Sequence, residues 1–250
     1  MSELGTRFGS PGAKIRYWLN ARRFKEDRRH TIVVTHCGKL GDFIACLPVA
    51  SWLYKTRGQK IHFVLARGFT LFEQTRSLLM LQEMTDAVTL ADFPVSDWEK
   101  GGQPYKHNPN QFGVTAPEYY NFGFRRTPRC FVPEYVAGEH GLGYDKDFKL
   151  SLGQVERSNE VLMSDSFMSV EIPNAQVIDH SQDVLTNARR MAAARESHVC
   201  QSGLFHVLDW AGVKPTFVYI YPHSANIHLF TNRLSEHNIK YIDRVVRPRP

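Results

Sequence analysis

The stretch VVTHCGKLGDFIACLPVASWLYK, Val33 to Lys55, decides how this chain folds. Thr31 to Cys37 is a short β-branched run that ends at Gly38, the pattern of a buried strand. Beyond Gly41 and Asp42, the residues Phe43, Leu47, Ala50, Trp52, Leu53 and Tyr54 recur at roughly helical spacing until Gly58 stops them. Pro48 lies inside that run and predicts a kink or a restart of the helix. A strand, a glycine turn and a helix with an acid in its first turn form a unit that carries chemistry in many α/β proteins.

The pattern repeats outward. Lys60 to Ala66 reads as the next strand, LFEQTRSLLMLQEM as a helix and Asp86 to Asp92 as a third strand, which implies a parallel sheet flanked by helices. From residue 94 to 144 the pattern breaks into Gly-, Pro-, Asn- and aromatic-rich sequence, too long for a simple connection. This stretch reads either as a substrate-facing insertion or as a surface flap packed by its aromatics. Strand material resumes at MSVEIP and AQVID, and SQDVLTNARRMAAAR is a helix with Ser181 or Asp183 as its cap. SHVC is a short strand, CQSGLFHVLDWAGVKP a second glycine turn leading into a helix, and TFVYIYP the following strand. We therefore expect a basic helical segment over 1–30, an N-terminal Rossmann-like unit over 31–150 carrying the insertion, and a reduced C-terminal unit over 151–250.

Composition narrows the class. The chain has 250 residues, 42% of them hydrophobic, enough to bury a substantial core. No run reaches the length of a membrane span, and the first residues lack the apolar middle of a signal peptide, so a cytoplasmic protein is expected. Cys37, Cys46, Cys130 and Cys200 are far apart and form no metal-type cluster, and HSANIH, His223 to His228, lacks both HExxH spacing and nearby carboxylates. We expect no metal and no cofactor. The formal charge of +6 favours anionic partners. Lys14 to His30 concentrates Lys and Arg between Tyr17, Trp18, Leu19 and Phe24, which describes either a basic amphipathic helix for DNA or an anionic membrane surface, or a solvated helix packed on its own domain.

Both glycine turns suit an anion, because backbone N–H groups at a helix start point outward and the helix dipole adds positive charge. CGKLGD matches neither GxxxxGK[ST] nor GxGxxG, which disfavours P-loop ATPases and classical dehydrogenases. Gly41, Asp42 and Pro48 fit G-D-x-x-x-x-x-P, and Ser202, Gly203 and His206 fit [ST]-G-x-x-H, followed by a helix, Gly212, Val213, Pro215 and a strand. With these two motifs in this order, the chain resembles the heptosyltransferase-like GT-B glycosyltransferases of the ADP-heptose:lipopolysaccharide type over roughly residues 31–92 and 176–222.

The resemblance implies an α/β fold with two Rossmann-like parallel-sheet halves facing a cleft, the second reduced. It also implies a sugar moved with inversion from a nucleotide-diphosphate donor to a hydroxyl acceptor. Asp42 falls where such families place the general base, although an acid there also reads as a helix cap. Gly38, Lys39, Gly41, Ser202, Gly203, Leu204 and His206 are the expected donor-binding residues, with His206 as phosphate or leaving-group partner or as a core histidine. Asp92, Asp97 and Glu118 stand next in line as bases. Gln201 replaces the acid usual in the second motif, and no strand-Pro-Gly turn with a following lysine is present. The acceptor is either a glycolipid-type sugar or a modified DNA base. A noncatalytic nucleic-acid or polyanion binder on the same scaffold is the alternative function.

Overall fold

The computed structural model describes residues 32–36, 39–66, 72–91, 118–123, 128–164, 171–221 and 227–242. Lys14 to His30, Gly38, Asp92, Asp97 and His223 lie outside the described residues.

Two parallel sheets are built. The first holds β1 (Ile32–His36), β2 (Ile61–Ala66), β3 (Thr85–Ala91) and β4 (Tyr119–Asn121) in the order β3-β2-β1-β4. Its crossovers carry α1 (Leu40–Arg57) and α2 (Phe72–Met80), and α3 (Val132–His140) follows β4. The second holds β5 (Val161–Met163), β6 (Gln176–Val177), β7 (Glu196–Cys200), β8 (Phe217–Ile220) and β9 (Ile239–Tyr241) in the order β6-β5-β7-β8-β9. Its crossovers carry α4 (Val184–Ala193) and α5 (Gly203–Trp210). All strand pairs in both sheets are parallel.

Each sheet changes direction once. From β1 the chain moves to β2 and β3 on one side and returns to place β4 on the other; from β5 it moves to β6 and returns to β7. In open parallel sheets the crevice outside the strands' carboxyl ends at such a reversal is where ligands bind. The residues following β1 and β7 at those two crevices are the two glycine turns.

Helix α1 shows why Pro48 misleads. It runs unbroken from Leu40 to Arg57 with Pro48 inside, so no restart occurs. The helix is buried on nearly every side, from Phe43 through Ser51, packed against α3 and α5 as well as its own sheet, and this surround holds it together without a full ladder. Gly58 ends it in the left-handed conformation at φ 65°, donating its N–H to the Tyr54 carbonyl at 2.8 Å. Asp183, not Ser181, caps α4 by accepting the Thr186 N–H at 2.9 Å.

The stretch 94–144 is not one insertion. Residues 119–121 form β4, paired with β1 through Val33–Tyr119 and Thr35–Asn121, and residues 132–140 form α3, with Phe122 and Val132 in the core. The strand read in MSVEIP is also displaced: the chain pairs at Val161–Met163, while Glu171 and Ile172 take no strand and Pro173 turns.

One hydrophobic core runs through both halves, from Ile32, Phe43 and Phe63 to Leu162, Val199, Phe205 and Val218. Polar ties reinforce it. The Gln82 side chain donates to the Ser151 carbonyl at 3.0 Å and accepts the Ser151 N–H at 2.8 Å. Ser77 donates to Asp183 at 2.9 Å, and the Gln74 amide to the His180 carbonyl at 2.9 Å, so α2 is bonded to the segment leading into α4.

Candidate functional site

Helices α1 and α5 bring the two glycine turns together. A Cβ on Gly41 would stand 2.8 Å from the His206 ring, and a Cβ on Gly203 would stand 2.9 Å from the Leu40 side chain. The glycines thus do work that sequence spacing alone does not reveal: each lets the other half's helix start approach its backbone. Where the two helix starts meet, a cavity of about 440 Å³ opens, lined by Lys39, Leu40 and Gly41 from one turn and Ser202, Gly203 and Leu204 from the other. Gln74, His180 and Asn187 contribute to its far wall, and among the described residues no acidic side chain lines it.

Two helix N-termini converging on one cavity place two positive dipole ends and their unused N–H groups side by side. In α5, the first intrahelical bond runs from His206 N–H to the Ser202 carbonyl at 3.3 Å, which leaves the N–H groups of Gly203 and Leu204 without a partner inside the helix. Ser202 takes the extended backbone of a cap residue, yet its hydroxyl caps nothing and is buried without a hydrogen-bond partner among the described residues, as is the Gln201 amide oxygen. Buried polar atoms left open cost stability unless something fills them.

Asp42 stands in the first turn of α1, half-buried, and accepts the Lys39 N–H at 3.2 Å. Burial raises its pKa to about 6, and the Lys39 N–H and charge offset only part of that rise. The acid thus satisfies the helix start and is a carboxylate tuned toward neutrality. Lys39 is exposed at the cavity mouth.

His206 does not line the cavity. It is 5% exposed, with its ring 5.2 Å from Phe205 and 5.1 Å from Phe230, and burial lowers its pKa to about 4. The imidazole is neutral at pH 7 and presses against Gly41, which is the behaviour of a core histidine, although its Nδ1 has no partner among the described residues. Glu118, third in line as a base, lies at the amino end of β4, where Tyr120 and Arg57 hold it at 2.9 and 3.3 Å. Parallel pairing with β1 puts it at the opposite end of the sheet from Asp42.

The far wall went unread in the sequence. Asn187 is 4% exposed; its amide donates to the Asp179 carbonyl at 2.9 Å, while Oδ1 has no partner among the described residues. The available signal was its spacing, a polar residue three positions after Val184 and four before Met191 on the buried face of α4.

No protein-family model matches the sequence, nor does any curated protein. Among solved structures, the chain is similar to E. coli heptosyltransferase WaaC with ADP, at 10% identity and a TM-score of 0.50, over 85% of this chain and 94% of that one. It is also similar to the iron-containing dodecameric glycosyltransferase TibC from enterotoxigenic E. coli, at 12% identity and a TM-score of 0.43, over 79% of this chain and 61% of that one. TibC in complex with ADP-D-β-D-heptose gives 13% identity and 0.42, over 80% and 62%. The chain has a heptosyltransferase-like GT-B glycosyltransferase fold. Among the described residues the second half has five strands against four in the first, the shortest being the two residues of β6, so the expected reduction of the second half is not a loss of strands. Among those residues no helix is long and apolar enough to cross a membrane.

Proposed function

We propose that this protein is a glycosyltransferase that moves a sugar from a nucleoside diphosphate sugar to a hydroxyl acceptor. What supports this reading is the convergence of the α1 and α5 N-termini on a cavity that, among the described residues, no acidic side chain lines, with Asp42 outside that lining and next in sequence to Gly41, which lines it. The diphosphate sits at the two helix starts, where the N–H groups of Gly203 and Leu204, the Ser202 hydroxyl and Lys39 receive it. The acceptor oxygen attacks the anomeric carbon as its proton passes to Asp42. The bond between that carbon and the phosphate oxygen breaks, and the nucleoside diphosphate leaves with the electron pair. One displacement inverts the anomeric centre.

A pKa of about 6 suits the role, since Asp42 is ionised at pH 7 and a stronger base than an ordinary aspartate. WaaC and TibC with ADP or ADP-heptose make adenine nucleotides the first donors to try. The acceptor is a glycolipid-type sugar or a modified DNA base, separated by whether transfer onto DNA occurs and falls steeply with salt.

The test is calorimetric titration of the full chain with ADP, GDP, CDP and UDP, followed by transfer assays with the sugar forms of those that bind. Micromolar binding that weakens at least tenfold in Gly203→Val, with the fold kept by circular dichroism, is expected. Absence of binding by every nucleotide overturns the reading.

A further inference from the structure

We propose that Asn187 is a specificity-determining residue of this cavity, its Oδ1 accepting a hydrogen bond from an N–H or O–H of the donor's nucleoside. This rests on the nucleotide-sugar reading above. Asn187 is nine-tenths buried, lines the cavity, and has one of its two polar atoms already committed. The bond from its Nδ2 to the Asp179 carbonyl fixes the amide orientation, so the open atom is the oxygen, an acceptor only. An acceptor left open in a buried wall is unfavourable unless a ligand brings it a donor.

The position of Asn187 selects which part of the ligand that is. Transfer requires the anomeric carbon near Asp42, on the first half. The diphosphate occupies the helix starts, so the nucleoside extends the other way, onto the second-half wall made by Ile178, His180, Val184 and Asn187. Ile178 and Val184 offer that nucleoside an apolar face, and Asn187 adds a directional contact. The Asp179 carbonyl holds the Asn187 amide, and Gln74 braces the adjoining His180 carbonyl from the first half, so the oxygen is held in place before the ligand arrives.

Two parts of a nucleoside bring such a donor, the base and the ribose hydroxyls, and the experiment separates them. The tightest of the four nucleoside diphosphates is compared with its 2′-deoxy form, its 3′-deoxy form and the analogue lacking the base's N–H donor. Each is titrated into the unmodified chain and into Asn187→Leu. One deletion is expected to weaken binding to the unmodified chain about tenfold and to leave Asn187→Leu unaffected. Which deletion does so names the base or the ribose as the group read. The melting temperature of free Asn187→Leu should equal or exceed that of the unmodified chain; if this variant does not fold, Asn187→Ala completes the same cycle. If every deletion weakens both proteins equally, Asn187 is structural and the proposal falls while nucleotide binding stands. If the unmodified chain binds no nucleotide, the nucleotide-sugar reading falls and takes this one with it.

Discussion

The two glycine turns share one plan, strand to glycine to helix start, and carry opposite chemistry. The first ends in an ionisable carboxylate, Asp42, with an exposed Lys39 beside it; the second offers Gln201, Ser202 and a neutral His206. On the proposed reading the second turn offers a diphosphate N–H groups, a hydroxyl and a dipole but no side-chain charge, while the first adds the Lys39 charge and alone takes the acceptor's proton. That division is open to being broken one turn at a time.

The largest effect is expected from Asp42→Asn. Asparagine keeps the acceptor for the Lys39 N–H and removes the base, so transfer should fall by about 10²- to 10⁴-fold while nucleotide affinity changes little. In the unmodified chain kcat/KM should rise with pH through an apparent pKa of about 6 and then level off. Steady-state rates across pH 5 to 8 check both. Normal transfer by the Asn variant would reduce Asp42 to a helix cap and leave the first turn without its distinguishing chemistry.

The next effect tests what the turns share. Gly41→Ala drives a methyl against the buried His206 ring, and Gly203→Ala drives one against Leu40 near its Cβ, an atom that cannot swing aside. Each is expected to cost about 1 to 3 kcal/mol in chemical denaturation, more than the helix propensity alanine adds. Leu40→Gly combined with Gly203→Ala should cost less than the two separate losses added, because glycine removes the Cβ as well as the Cγ and Cδ2 that the new methyl meets. Strict additivity would mean that the two helix starts do not touch.

These glycines mark the boundary of what the sequence made legible. That Gly41 and Gly203 were required was readable from the motifs; that each accommodates a residue of the other half was not, because Leu40 and His206 are more than 160 residues from the glycines they meet. The strand–turn–helix units were readable from β-branched runs and helical spacing. Elements of three residues were not: β4, β5 and β9 are too short to show alternation, and β4 is embedded in a Gly- and Pro-rich stretch. Pro48 failed as a breaker because propensity is a local signal and α1 is held by contacts on nearly all its faces. Glu118 failed as a base because composition does not say which end of a strand faces the crevice. Asn187 belongs to no motif, and only its burial beside an open cavity singles it out.

The smallest effect sharpens the contrast through pH. Asp42 has a folded pKa near 6, above its ordinary 3.8, so the folded state binds its proton more tightly than the unfolded chain does. Its stabilising contribution is therefore complete below about 3.8 and is lost as pH rises through 6. His206 runs the other way: with a folded pKa near 4 against 6.5, it favours folding above 6.5, and that contribution is lost as pH falls toward 4. His36, lowered to about 3 by burial at the end of β1, adds to the acid-side loss, so the raw profile mixes the turns and only differences between variants resolve them. Asp42→Asn should be more stable than the unmodified chain by about 1 to 2 kcal/mol at pH 8, with the gap closing by pH 4. His206→Phe keeps a ring against Gly41 and removes the titration, so relative to the unmodified chain it should gain as pH drops from 6.5 to 4. Urea titrations of the three proteins at pH 4, 6 and 8 measure both differences. Equal slopes with pH in all three would show that neither group changes its protonation on folding, and the chemical contrast between the two turns would then have to rest on the transfer assay alone.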